Sequence, residues 1–290
     1  MLITHLRNAT IVLEFESQGR PFGLLVDPML APRATLPALR YLRLTGKARQ
    51  RNPIAELPDN TEAVLERVTH ALITHCQRGH FDHLDRAGKR FLRERQIPVF
   101  CMPHDAAYLH QRGLQTVALE GPWRQSWPLG GQITPVPCVH GRGWVGRLME
   151  HGHGYLLELP GNPSVYLAGD TVLTPAVRDC LQRLQRLQPG VAVLPAGGAR
   201  FDLGGEILMD AHDMVRAAAC WPGQLVVNHL EALDHCPTTR AQVHALAAEH
   251  GLGGRLWVPE DGAQRVYTDT CAIPAPEVAG RPALASAQAA

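Results

Sequence analysis

The stretch ITHCQRGHFDHLD, residues 73–85, decides how the rest of the chain is read. It brings His75, His80 and His83 together with Asp82 and Asp85 in thirteen positions. Imidazole and carboxylate are the side chains that hold zinc, manganese or iron. HFDH alone sets three metal-competent ligands within four residues. Two readings compete: a metal loop delivered by the apolar run HALIT, or a hydrated polar loop that ends in a helix N-cap.

Three other places repeat the arrangement of an apolar run carrying one His or Asp out of its end. His140 closes ITPVPCV, Asp170 follows VYLAG, and His229 closes QLVVNH. Taken singly, each has an ordinary reading as a hydrogen-bonded histidine or a Gly-Asp turn. Four coincidences of one kind favour a shared site, because a buried strand supplies the rigid placement a metal needs.

Short β-type runs extend this pattern along the chain: TIVLEF, FGLLVD, IPVFC, QTVAL, GYLLEL, VAVLPA, RLWVPE and QRVYT, each bounded by polar residues, Gly or Pro. Helical spacing of apolar residues appears at 85–95, 175–187, 206–220 and 238–250. Pro175 fits a first helical turn, and Thr238 and Gly251 bracket the last helix as N-cap and C′ residues. Two sheets packed face to face with helices outside use such an order. The spacing predicts one domain over 1–271, with 31–60 as a long inserted connection and a disordered Pro/Ala-rich tail at 272–290. Arg33, Arg40, Arg43, Lys47, Arg49 and Arg51 make that connection either a wall for an anionic substrate or a solvated basic loop.

A net charge of +1 argues against a grip on a phosphate backbone, so no nucleic-acid partner is expected. No apolar run is long enough to span a membrane, and MLITHLRNATIVLEF lacks the charged start and apolar core of a signal peptide. Seven scattered cysteines make no disulfide framework, which points to the cytoplasm. Fifteen histidines, about twice average usage, favour metal binding. The oligomeric state is not readable from these residues.

The motifs resemble the metallo-β-lactamase superfamily, in particular the branch around ascorbate-6-phosphate lactonase and related metal-dependent hydrolases. RNATIVLEF, LLVDPML, RNPIAELP, GHFDHLD, VPCVHGRG, YLAGDT, LPAGGARF and VVNHLEALDH carry the resemblance over nearly the whole chain. It implies an α/β (α+β) four-layer αββα sandwich with the metal site on one edge of the paired sheets. It implies His80, His140 and, where it reaches, His75 as ligands of a first metal. Asp82, His83 and His229 become ligands of a second, with Asp170 bridging. Asp82 would also orient the attacking water and accept its proton. One or two divalent ions follow, zinc first, with manganese or iron served by the same ligands.

The family pattern His-x-His-x-Asp-His departs here, because Arg78 stands at its first histidine. Arginine cannot ligate. Gln77, Arg78 and Gly79 then read as an insertion, with Gly79 permitting the turn that returns His75 to the site. The function implied is hydrolysis of a small ester, lactone, amide or phosphoester. Two alternatives remain open: a degenerate member that binds a ligand or partner, and a mononuclear iron redox enzyme. For the leaving-group proton, His235 and Glu231 are candidates, against a reading of both as surface helix-cap residues. Cys76, Cys138 and Cys236 lie near the proposed ligands and are left outside the set.

Overall fold

The first β-hairpin shows why the chain builds a sandwich. In Thr10–Ser17, Ile11, Leu13 and Phe15 face one apolar layer while Val12 faces another. Side chains alternate along a strand, so burial on both faces requires a cover on each. The computed structural model describes residues 1–39, 50–77, 79–121, 123–150, 152–184, 190–201 and 204–268. The tail at 272–290, Arg78, and Arg40, Arg43, Lys47 and Arg49 of the long connection lie outside the described residues.

The first sheet is built from β1 (Leu2–Arg7), β2 (Thr10–Ser17), β3 (Arg20–Val26), β4 (His70–Leu72), β5 (Pro98–Cys101), β6 (Gln115–Ala118) and β14 (Gln264–Val266). Its order is β14-β1-β2-β3-β4-β5-β6. The second contains β7 (Gln125–Ser126), β8 (Gln132–Pro137), β9 (His153–Glu158), β10 (Val165–Leu167), β11 (Val191–Pro195), β12 (Gln224–Asn228) and β13 (Leu256–Trp257), ordered β13-β12-β11-β10-β9-β8-β7. Leu13, Phe100, Trp127, Tyr155, Val193 and Trp257 fill the space between the sheets. Outside the first sheet lie α1 (Thr61–Leu65), α2 (Arg86–Glu94) and α3 (Pro103–His110), through Val64, Leu92 and Leu109. Outside the second lie α5 (Pro175–Leu184), α6 (Ala211–Ala218) and α7 (Arg240–Glu249), through Leu181, Met214 and Val243. The short α4 (Gly143–Leu148) packs Val145 onto a separate small cluster with Met29, Ile207 and Leu233. These are the four αββα layers expected from the resemblance. None of the described helices is long and apolar enough to cross a membrane.

Several boundaries differ from the sequence reading. The helix predicted over 206–220 begins at Ala211, because Asp210 turns the chain and its carboxylate accepts from Asp213 N at 2.8 Å. The last helix is capped by Thr239 rather than Thr238. Thr239 Oγ1 accepts from Gln242 N while Thr239 N donates to Gln242 Oε1, a reciprocal capping box. Gly251 does adopt the left-handed φ of +66° expected of a C′ residue. The strands β1 and β7 and the helices α1, α3 and α4 went unread. They are short or, like LITHLR, mix polar residues into a run that is buried only by its neighbours.

Candidate metal centre

The second sheet aims its candidates at one edge. β8 is antiparallel to β9, β9 is antiparallel to β10, and β10, β11 and β12 are parallel. Strands β8, β10 and β12 therefore run the same way, and His140, Asp170 and His229 leave the sheet at the same end. From the facing sheet, β4 delivers Thr74 and His75 to that edge. The chain then turns at Gly79, whose φ of +92° favours glycine although its missing Cβ would meet nothing within 4 Å. His80, Asp82 and His83 follow. The loop ends at Asp85, which accepts from Gly88 N at 2.7 Å as the N-cap of α2 and from Ala31 N at 2.6 Å. Asp85 is thus the helix cap, while His75, His80, Asp82 and His83 turn to the site.

All seven residues proposed from the sequence meet here, in two groups. His75, His80 and His140 form one; Asp82, His83, Asp170 and His229 form the other. Within each group the atoms able to bind a metal lie within 4.8 Å of one another, and every member is buried. The return of His75 is direct: its ring centroid lies 4.4 Å from that of His80 and 4.0 Å from that of His83. Asp170 stands between the groups, 3.2 Å from His83 Nε2, 3.3 Å from His229 Nε2 and 3.6 Å from His140 Nε2.

Hydrogen bonds on the outer nitrogens decide which atoms point inward. His80 Nδ1 donates to Gln77 O at 2.6 Å and His140 Nδ1 to Ile207 O at 2.7 Å, since a carbonyl can only accept. His83 Nδ1 donates to Asp27 Oδ2 at 2.9 Å. Thr74 Oγ1 gives its proton to Asp27 Oδ2 at 2.7 Å and so accepts from His75 Nδ1 at 3.0 Å. Each Nε2 is left to the site, and His75 Nε2 is buried without a partner among the described residues. Burial, then the neighbouring His83 and His80, hold the His75 pKa well below the ordinary value. Burial likewise takes His140 to about 4 and lowers His229. Neutral imidazoles with inward lone pairs, beside two carboxylates, are the donor set a divalent cation needs. His80 and His83 depart from the others: burial pulls both down, but the bond to Glu150 and the charge of Asp82 outweigh it at His80, and Asp170, Asp82 and Asp27 raise His83 well above its usual value. A cation there would displace a proton.

The sequence reading missed three supporting residues. Asp27 ends FGLLVD and obeys the same strand-end rule that found the others; it also accepts from Thr74 N at 2.8 Å. Asn8, in the left-handed β1–β2 turn, places Nδ2 3.4 Å from His229 Nε2. Glu150 carries no sequence signal. It comes from the segment after α4, lies 3.1 Å from His80 Nδ1 and accepts from Gln77 N at 2.6 Å. Carboxylates behind ligating histidines set ring orientation and basicity, so Glu150→Gln is expected to weaken metal binding at the His75 group roughly 10–100-fold. Competition with a chromophoric chelator measures this, and an unchanged affinity would remove Glu150 from the site.

Of the two proton-donor candidates, Glu231 is turned away into an ion pair with Arg240 at 2.7 Å. His235, expected on the surface as a helix-cap residue, is instead 3% exposed and lines the cavity above the metal groups. That cavity, about 370 Å³, is walled by Pro37, Leu39, Phe81, Leu148, Met149 and Phe201. The described part of the long connection therefore presents apolar side chains here. Arg51, by contrast, is exposed and bonds Thr35 O. Cysteine is absent from the metal-competent groups among the described residues.

No protein-family model matches the chain. The UPF0173 protein YddR of Bacillus subtilis is 30% identical over 269 residues, covering 90% of this chain and 98% of the relative. Among solved structures, an isothiocyanate hydrolase from Delia radicum gut bacteria is similar at 29% identity and a TM-score of 0.78, over 92% of this chain and all of the other. The metallo-β-lactamase fold protein YhfI of Bacillus subtilis shares the fold at a TM-score of 0.56 and 12% identity, over 91% and 98% of the two chains. With two seven-stranded sheets, a buried His/Asp edge and a full-length relative, this chain belongs to the UPF0173 family, whose curated members include metal-dependent hydrolases, on a metallo-β-lactamase fold.

Proposed function

We propose that this metal-dependent hydrolase adds water to a small uncharged electrophile bearing an apolar substituent: an ester, lactone, amide or isothiocyanate. His75, His80 and His140 would hold one divalent ion. Asp82, His83, Asp170 and His229 would hold a second, with Asp170 reaching both. One observation carries the reading: buried imidazoles and carboxylates converge at the floor of an apolar-walled cavity large enough for a small molecule. Zinc suits the donor set best, and manganese or iron would fit the same atoms.

A divalent ion held by these residues would supply a water acidified toward a pKa of about 7 and would draw charge from the electrophile's heteroatom. The chain's own residues do the rest. Asp82 sits at the cavity floor, 3.6 Å from His83 Nε2 and 3.7 Å from His229 Nε2, where its carboxylate would orient the attacking water and accept its proton. Pro37, Leu39 and Phe81 would hold the apolar substituent and keep bulk water out.

Isothiocyanates enter the substrate class through the similar isothiocyanate hydrolase. Lactones enter through the resemblance to ascorbate-6-phosphate lactonase. Phosphoesters rank behind both, because no lysine or arginine lines the cavity among the described residues. A degenerate binding protein has lost its motive, since His75 joins the group from which Arg78 seemed to have removed a ligand.

The test is metal content by plasma mass spectrometry together with turnover of benzyl isothiocyanate, 4-nitrophenyl acetate and bis(4-nitrophenyl) phosphate. The expected result is about two metal equivalents, with turnover of one or both uncharged substrates that chelation abolishes and zinc restores. A protein that takes up no metal on reconstitution with zinc, manganese or iron would sink the proposal.

A further inference from the structure

His235 lies in NHLEALDHCPT, between β12 and α7. The backbone leaves the strand through left-handed φ values at His229 (+63°) and Glu231 (+53°), a conformation that side chains other than glycine seldom adopt. Tertiary bonds hold the segment there. Asp234 N donates to Asn52 Oδ1 at 2.9 Å, and Arg200 N donates to His235 O at 3.3 Å. The His235 ring is nearly parallel to that of Phe201, with centroids 6.2 Å apart and planes 14° apart. This placement puts an imidazole in the cavity wall that also contains His80, Asp82, His140 and Asp170.

Two facts separate His235 from the histidines below it. It belongs to none of the metal-competent groups among the described residues. Its Nδ1 is also buried without a hydrogen-bond partner among the described residues. A buried polar atom left unmade is costly and rare, and a functional site is one of the few places that keeps one. Burial lowers the pKa of His235 to about 4, despite the opposing charge of Asp82, which keeps the ring neutral near pH 7. A neutral imidazole offers one N–H and one lone pair, and it can donate without changing charge.

We propose that His235 binds the reacting heteroatom of the substrate, donating a hydrogen bond to the oxygen or nitrogen that gains charge as water adds to the neighbouring carbon. This inference rests on the hydrolase reading above. Addition to an ester, lactone, amide or isothiocyanate moves an electron pair onto that atom. A donor already fixed against it stabilises the charge as it develops and costs no reorganisation at that moment. Phe201 beside the ring and the tethered backbone supply the fixing. Glu231 cannot serve, being paired with Arg240.

The test compares His235→Phe, which keeps a flat ring beside Phe201 but has no donor, with His235→Gln, which keeps an N–H at similar reach. With zinc-loaded protein and benzyl isothiocyanate or 4-nitrophenyl acetate, His235→Phe is expected to lose roughly 10²–10³-fold in kcat, the usual cost of one such donor. Metal content and Tm should stay at the wild-type level, and His235→Gln should recover roughly tenfold or more, about one hydrogen bond's worth. Wild-type activity in His235→Phe, or less activity in His235→Gln than in His235→Phe, would overturn the proposal and leave a packing role. Nitrogen-15 spectra of the wild-type His235 ring on titration with benzylurea, an uncharged unreactive analogue, give a readout independent of turnover and of variant folding. A shift of the donor nitrogen supports the contact, and an unmoved resonance at saturation overturns it. Failure of the wild-type enzyme to turn over any substrate, with the ring resonance still shifting, would count against the hydrolase reading and not against this contact.

Discussion

Asp170→Asn should reduce bound metal from about two equivalents to one or fewer and lower kcat by roughly 10³-fold, since each metal-assisted charge stabilisation is worth several kcal/mol. The substitution keeps the shape of the side chain and removes only its charge. Asp170 belongs to the group of Asp82, His83 and His229 and also lies 3.6 Å from His140 of the other group. Burial alone would push its carboxyl up, but the imidazoles of His229 and His83 outweigh burial and hold it well below the usual range. A neutral amide would leave clustered imidazoles without that counter-charge and could bridge two cations only weakly. Metal content measured beside turnover separates the outcomes. Two equivalents with activity within tenfold of wild type would remove Asp170 from the bridging role.

The second large effect is expected far from any reacting atom. Arg7 is fully buried, yet its guanidinium stays charged: burial lowers its pKa only to about 10, against the compensating charge of Asp85. Its Nη2 donates to Met29 O at 2.8 Å and Ala31 O at 2.9 Å, and Nη1 to Ala55 O at 3.0 Å. These bonds pin the loop that follows Asp27 against the loop that carries the metal ligands, where Asp85 accepts from Ala31 N. Methionine would fill much of the space but strand three carbonyls and leave Asp85 without its cation. Breaking such a buried arrangement costs about 3–5 kcal/mol. At roughly 2–4 °C per kcal/mol for a chain of this size, Arg7→Met should melt about 6–20 °C lower, by calorimetry of the chelated protein. A drop under about 2 °C would mean that desolvating the guanidinium, whose Nε has no partner among the described residues, already offsets what its bonds contribute.

What could be read in advance follows from the range of each signal. HALIT, VAVLPA and QLVVN are local patterns, since β-branched residues bounded by turn residues announce a strand wherever they occur. The strands whose buried faces are made of apolar residues were legible in this way. LITHLR was not, because Thr4, His5 and Arg7 are buried only through partners brought from residues 29–55 and 261–264. The helix caps slipped by one or more residues for a related reason. Either Thr238 or Thr239 could cap the last helix by composition, and the Gln242 side chain chose between them.

The site divides along the same line. Asp27 obeyed a rule already applied elsewhere and was legible, whereas Glu150 reaches His80 only because the segment after α4 comes back to the metal loop. Arg78 looked like a lost ligand because motif comparison assumes fixed spacing along the chain. Gly79 lets His75 return through space, which residue spacing does not record. The sequence by itself determined the sandwich class, most of its strands, the helices α2, α5, α6 and α7 and the ligand chemistry at four strand ends, because periodicity and residue type act over a few residues. Only the tertiary structure decided that His75 joins the group, that His235 lines the cavity while Glu231 does not, and that the cavity wall is apolar. Each of those depends on packing between segments tens to hundreds of residues apart.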